Sequence, residues 1–415
     1  MNPPNHVTAL AILERLIAFD TTSRNSNLAL IEFIRDYLLQ HGVSSRLIFD
    51  ESKSKANLYA TIGPQDKAGI CLSGHTDVVP VDGQHWASAP YTLTVRDGLA
   101  YGRGTADMKG FIACVLAMVP DFAARSLQVP LHLAFSYDEE VGCVGVRGLL
   151  AALEHEPWRP LACIIGEPTS MQVAVAHKGK QAYRCTVHGK AGHSALTHLG
   201  VNAVEYAANL VAFLQRKADE MKIYGAHNDA FVPPHTTVHT GKFGGGIALN
   251  VIPEHCEFDF EIRNLPEEDP DVIIASIQSY AQHRLEPAMR TRHPAAGISF
   301  AKLSSYPGLT GQRAAPLQKL CCQLAQTADT TTLSFGTEGG LFEAIDIPTV
   351  VCGPGSIQQA HQADEYVALE QLNLCLAFLR GLAEQMDQSD CDLGPAPAAP
   401  VTNFASDNPK QKFSI

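Results

Sequence analysis

Residues 69–77 read GICLSGHTD, an apolar run that stops abruptly at a histidine and an acid. The same form recurs at 131–140, LHLAFSYDEE, and at 161–167, LACIIGE. Runs this apolar lack the in–out alternation of a half-wet strand, so they read as central strands covered on both faces. Helical spacing separates them: apolar residues repeat at turns of a helix from Met108 onward and over 144–153. Strands alternating with helices predict an α/β fold with a mostly parallel or mixed central sheet flanked by helices. In such open sheets ligands gather beyond the strand ends. Each run places its polar residues at that edge.

Working outward, 7–19 and 28–39 have helical spacing, and Gly42 can end the second helix. Short strands are expected at 45–49 and 57–62. After Lys180 the character changes. Segment 181–188 alternates, and 202–222 is a long helical pattern. Segment 254–263 sets Cys256, Phe258, Phe260 and Ile262 against Glu257, Asp259, Glu261 and Arg263, as a strand with one wet face should. Residues 181–291 therefore read as a smaller inserted α+β domain. The catalytic domain is expected at 1–180 and 292–386, with a buried strand at 348–352 and a last helix at 369–386. Residues 387–415 read as a flexible tail.

The chain has 415 residues, with 31 Lys and Arg against 43 Asp and Glu, for a net charge of −12. A polyanion such as nucleic acid is thereby excluded as main partner. The longest uncharged apolar run, 111–119, falls far short of the ~20 residues that span a bilayer. Glu14 and Arg15 interrupt the first apolar stretch, which argues against a secretory signal. The eleven cysteines are scattered, without a CxxC pair, and suit free thiols in the reducing cytoplasm.

Five motifs carry chemistry. In HTD, His75 and Asp77 point to one side of an extended segment, so that His75 can bind a cation and Asp77 can orient the ring. GRGTADMKG (102–110) brings Asp107 to the start of a helix, as an N-cap or as a carboxylate bridging two cations. In YDEEVG (137–142) successive acids crowd a strand end; one can bind a metal while its neighbour stays free to move a proton. Glu167 follows a buried strand directly. CGPGS (352–356) offers backbone N–H groups to an anion, and His361 follows it. Each motif alone also suits a bland role: a strand-end histidine, a helix cap, a solvated turn, a surface histidine. Together, two histidines and several carboxylates with no thiolate suit divalent ions such as Zn²⁺, Co²⁺ or Mn²⁺, two of them sharing one carboxylate. Ser194 and the cysteines show no partner set for a covalent nucleophile.

HTDVVPVDGQHW (75–86), GRGTADMKG, DEEVG, GEPTS (166–170), AGHSA (191–195) and CGPGSIQQAHQADEY (352–366) together resemble the dinuclear zinc metallopeptidase family, over about residues 7–386. Ala363 stands where the family pattern has proline. The resemblance implies one metal held by His75, Asp107 and Glu167 and another by Asp107, Glu140 and His361. It implies Zn²⁺ most readily, with Co²⁺ as the alternative. Asp77 would support His75, and Glu139 would be the general base. The inserted domain would act as a lid that pairs two subunits. His193 would reach the neighbouring subunit's site as an oxyanion donor, with Asn250 facing the substrate. Arg263 is a candidate for the substrate carboxylate, or else is tied up by Glu261 or Asp259; Gly355 and Ser356 would offer N–H groups to that carboxylate. The implied substrate is a small N-acyl amino acid. Within the family the motifs stand nearest the branch that removes acetate from N2-acetyl-L-ornithine; the alternatives are desuccinylation of N-succinyl-diaminopimelate, a broader N-acyl-amino-acid hydrolase, or a metal-dependent binding protein without activity.

Overall fold

The computed structural model describes residues 6–154, 156 and 159–388. The tail expected at 387–415 lies outside them, except for Asp387 and Gln388. An eight-stranded mixed sheet forms the centre, in the order Ser45–Phe49, Ala56–Ile62, Leu131–Ser136, Ile70–His75, Ala162–Ile165, Thr349–Val351, Val173–His177 and Thr330–Leu333. The three apolar runs are adjacent parallel strands and are fully buried. Their alternate residues feed two cores. Leu72, Leu133 and Ile164 pack with helices His6–Ile17, Lys109–Ala124 and Leu369–Met386. Cys71, Ala134, Cys163 and Ile165 pack with helices Val146–Glu154 and Gly339–Ala344. Both faces being covered is the reason these strands carry no alternation. The 111–119 run is a core helix segment, and no helix among the described residues is long and apolar enough to cross a membrane.

The sheet is interrupted by a smaller unit. Its antiparallel sheet runs in the order Thr237–Gly245, His255–Arg263, Lys180–His188 and Gly297–Tyr306. Tyr183, Cys185, Phe258 and Phe260 face helices Ala203–Tyr224 and Pro270–Tyr280 in a separate core. The sequence pattern closes this insertion at 291, yet Gly297–Tyr306 belongs to its sheet: Phe300 stands opposite Cys185 and Ile298 opposite Val187. That strand is an exposed edge with a register shift between Lys302 and Ser304. Its weak alternation hid it in the sequence. Two strands of the large sheet also escape the pattern. Val173–His177 is built on small residues, and Thr330–Leu333 is a polar edge strand.

Candidate active site

Five segments end at one cleft. His75 closes its strand in register with Ser136, so Glu139 and Glu140 emerge beside it. Glu167 follows Gly166. A Cβ at Gly166 would stand 2.0 Å from the Phe111 ring, so a side chain there would push the strand end off the Lys109–Ala124 helix. Asp107 is not the cap of that helix. Met108 holds the N-cap position, without a side-chain bond, and the Asp107 carboxylate turns into the cleft one residue earlier.

Asp107 faces two imidazoles with one oxygen each. Oδ1 lies 2.9 Å from His75 Nε2, and Oδ2 lies 3.2 Å from His361 Nε2. Glu140 approaches His361 Nε2 at 3.1 Å, and Glu167 approaches His75 Nε2 at 3.5 Å. His361 takes the left-handed backbone region at φ +62°, uncommon for a residue with a side chain and frequent where function requires it. Gln84 steadies its turn by donating to the His361 carbonyl at 3.0 Å.

His75 Nδ1 sits 3.0 Å from the Asp77 backbone carbonyl and 3.5 Å from the Asp77 carboxylate. Both can only accept, so Nδ1 carries a proton, and Nε2 is the ring nitrogen that faces Asp107 and the cluster. The expected orienting role of Asp77 thus falls mainly to its carbonyl. Its carboxylate accepts the N–H groups of Glu139 at 3.1 Å and Glu140 at 3.2 Å, and the Ser23 hydroxyl at 2.7 Å. Of the three successive acids, Asp138 turns away to Lys55.

Burial and mutual repulsion load these acids. Burial first, then Glu140, pushes Glu139 up to about 8 against the pull of His75. Burial and Asp107 push Glu140 up to about 7. Burial and Asp107 also hold Glu167 well above the usual range. Burial would raise Asp107 too, but the bonds from His361 and His75 hold it well below. A carboxylate cluster that must bind protons to stay neutral is one that cations relieve. Ligand atoms of His75, Asp107 and Glu140 lie within 4.8 Å of one another, as do those of His75, Glu139 and Glu167. The donors fit two divalent ions: imidazoles and carboxylates, no thiolate, and four carboxylates to offset two dications. Glu139 stands as near to His75 and Glu167 as a ligand would, so proximity alone does not separate a ligand from a free carboxylate. Glu139 is also engaged at Oε1 by the buried Cys143 thiol, 3.3 Å away.

The cleft, about 130 Å³, is lined by Asp107, Glu139, Glu140, Glu167, His361 and Arg263, with Lys180, Tyr306, Phe335 and Ile357 completing its walls. Arg263 Nε donates to Glu261 at 2.7 Å, the pairing the sequence offered as one of its two readings, while the residue also lines the cleft. The N–H groups of Gly355 and Ser356, expected to meet the substrate carboxylate, have partners within the chain. Gly355 N–H points to Gln371 Oε1 of the last helix at 3.3 Å, and Ser356 N–H to Gln359 Oε1 at 3.0 Å, because Ser356 and Gln359 form a capping box on the short helix Ile357–Gln359. His193 and Asn250 sit side by side on the insertion, where Ser194 N–H donates to the Asn250 carbonyl, and neither lines this cleft. Glu365, within a quoted motif but overshadowed by His361, proves structural, as does Arg103. Glu338, buried and bonded to Ser136, had no signal beyond a lone acid after a glycine-threonine pair.

Residues 71–385 match Peptidase family M20/M25/M40. The chain belongs to that family. It is 34% identical over 380 residues to an acetylornithine deacetylase of Pasteurella multocida (strain Pm70), covering 91% of this chain and 96% of the relative. It is 35% identical over 376 residues to an acetylornithine deacetylase of Proteus mirabilis (strain HI4320), covering 89% and 91%. Among solved structures, the fold matches the M20 metallo-carboxypeptidase Sso-CP2 from Sulfolobus solfataricus with a TM-score of 0.73 at 15% identity, covering 91% of this chain and 99% of that one. It also matches the YXEP protein of Bacillus subtilis, described as a dinuclear metal binding peptidase, with a TM-score of 0.62 at 16% identity, covering 91% and 97%. As a member of M20/M25/M40 the chain is a metal-dependent hydrolase.

Proposed function

We propose that this chain hydrolyses the amide of N2-acetyl-L-ornithine to L-ornithine and acetate. The observation that carries the reading is Asp107, set between His75 and His361 with one oxygen toward each and Glu139 beside them. The curated relatives named above, matched over nearly the whole chain, favour the acetyl and ornithine halves of the substrate. His75, Asp107 and Glu167 would hold one ion, and Asp107, Glu140 and His361 the other, with Zn²⁺ first and Co²⁺ second. Bound there, two dications supply Lewis acidity that acidifies a water and polarises an acyl carbonyl.

Glu139 accepts the proton of the attacking water and returns it to the departing amine. Its position on the turn that Asp77 clamps keeps the carboxyl aimed into the cleft. The buried surroundings that raise Glu139 toward neutrality suit a group that both takes and gives a proton. Arg263 takes the substrate α-carboxylate. His193 and Asn250 serve the cleft of a second copy. The apolar Phe243, Ile247 and Leu249, exposed on and beyond an edge strand of the insertion, support a homodimer through that unit. Ten free cysteines among the described residues, nine of them buried, suit the cytoplasm. Steady-state assays on a panel of N-acyl amino acids with Zn²⁺ or Co²⁺ test the proposal. N-acetyl-L-ornithine should give the highest kcat/KM; preference for N-succinyl-diaminopimelate would overturn the deacetylase assignment.

A further inference from the structure

The cleft has two ends of opposite character. One is the cluster of acids and histidines. At the other, Lys180 opens the strand Lys180–His188 and Arg263 closes the antiparallel strand His255–Arg263 beside it. Both side chains line the cleft. The Glu261 carboxylate lies between them: Oε1 accepts from Arg263 Nε at 2.7 Å, and Oε2 lies 3.3 Å from Lys180 Nζ. Glu261 itself is not among the cleft-lining residues. Glu261 therefore ties the two cations together from behind the cleft, and the Tyr306 side chain engages Arg263 as well, which still leaves each cation donors to spare. An ammonium has three donors and a guanidinium five, and Glu261 occupies one of each. Two positive charges less one leave a local surplus of one, enough for a single anionic group. The Tyr306 ring, nine-tenths buried, walls the same corner.

We propose that Lys180 is a second contact for the substrate carboxylate, acting with Arg263 across the Glu261 spacer, so that each cation meets one carboxylate oxygen. This rests on the reading of the chain as an N-acyl-amino-acid hydrolase. It adds a specificity residue that lies outside the acid and histidine motifs. The two ends divide the labour: the amide is held at the acidic end, and the α-carboxylate is held at the cationic end.

The test compares Lys180→Met and Lys180→Arg with the metal-loaded wild type on N-acetyl-L-ornithine and on its carboxamide. Loss of one charge-assisted bond should lower kcat/KM for the acid about ten- to a hundredfold, mostly through KM. The carboxamide should change by no more than about twofold, since its lost partner is neutral already. Lys180→Arg should recover most of the acid's rate, and metal content should match wild type in both variants. Equal losses on acid and carboxamide, or no loss on either, would overturn the assignment of Lys180 while leaving the hydrolase reading intact. A wild-type enzyme inert toward every N-acyl amino acid would overturn both.

Discussion

Glu365 and Arg103 form an ion pair of 2.7 Å with both side chains only 1% exposed. The same carboxylate accepts the N–H groups of Gly104 and Ala106 at 2.9 Å and of Asp107 at 3.1 Å. Arg103 is further held by Gln84 at 2.6 Å and by the Trp86 ring. The loop that presents Asp107 is thus wound around one buried carboxylate from the far end of the chain. Removing one partner of a buried pair strands the other, at a cost of about 3–5 kcal/mol. Glu365→Gln should lower unfolding free energy by that order and weaken metal binding, because Asp107 loses its backbone anchor. Denaturant unfolding and metal titration of the variant check both; wild-type values in both would refute the anchoring role.

Glu139→Gln should keep the fold and the metal content while losing about 10²–10⁴-fold in kcat, the usual cost of a missing general base. The amide is nearly isosteric, and the backbone bond to Asp77 is untouched. Metal analysis and turnover per bound metal are the measurements. Metal loss with normal turnover per metal would mean that Glu139 and Glu140 have exchanged roles.

Dialysis against a chelator should abolish hydrolysis, and Zn²⁺ or Co²⁺ should restore it. Full activity in rigorously metal-free protein would defeat the proposed mechanism.

The chelated protein should also lose stability as pH rises. Burial pushes Glu140 up to about 7 and Glu139 up to about 8, and bonds to Asp107 and Glu140 lift His361 to about 10, so the folded state binds more protons than the unfolded state above pH 4.5. Each raised group contributes stability below its unfolded value and loses it as pH climbs through the folded one. Asp107 has the opposite sign, but its contribution is already complete above 3.8 and stays flat across this window. Thermal melts of the chelated protein between pH 5 and pH 9 should therefore fall steadily, and metal should remove most of the slope. A rising or level profile without metal would contradict the buried acid cluster.

Ile247 and Leu249 are 88% and 101% exposed, on the insertion that carries His193 and Asn250. Replacing both with Asp should shift sedimentation from dimer toward monomer and lower kcat with it. His193→Ala should lower kcat in the dimer. A fully active monomer would remove His193 from catalysis.

Much of the site was legible because each motif is local. A buried strand that ends in a histidine or an acid announces itself through two or three neighbouring side chains, as at His75, Glu139, Glu140 and Glu167, and glycine-rich stretches flag Asp107 and His361; the six come together, His75 through Asp107 and the others along the cleft. The central strands were legible for a similar reason: residues buried on both faces leave an unbroken apolar run. The edge strands Gly297–Tyr306 and Thr330–Leu333 bury little, so hydrophobic periodicity has nothing to report.

By itself, then, the sequence determined the apolar strands, the order of the acids and histidines along them, and the free acid beside a candidate ligand. The tertiary structure decided which distant groups meet. It gave the Asp77 carboxylate to the backbone of Glu139 and Glu140, set Glu365 beneath Asp107 across a separation of 258 residues, brought Lys180 and Arg263 together on Glu261, and spent the Gly355 and Ser356 N–H groups on nearby glutamines. The reason is physical. Periodicity records how much of a side chain is buried, which each residue carries in its own chemistry, whereas a hydrogen bond between distant segments depends on sheet order and register, which only the packed chain defines.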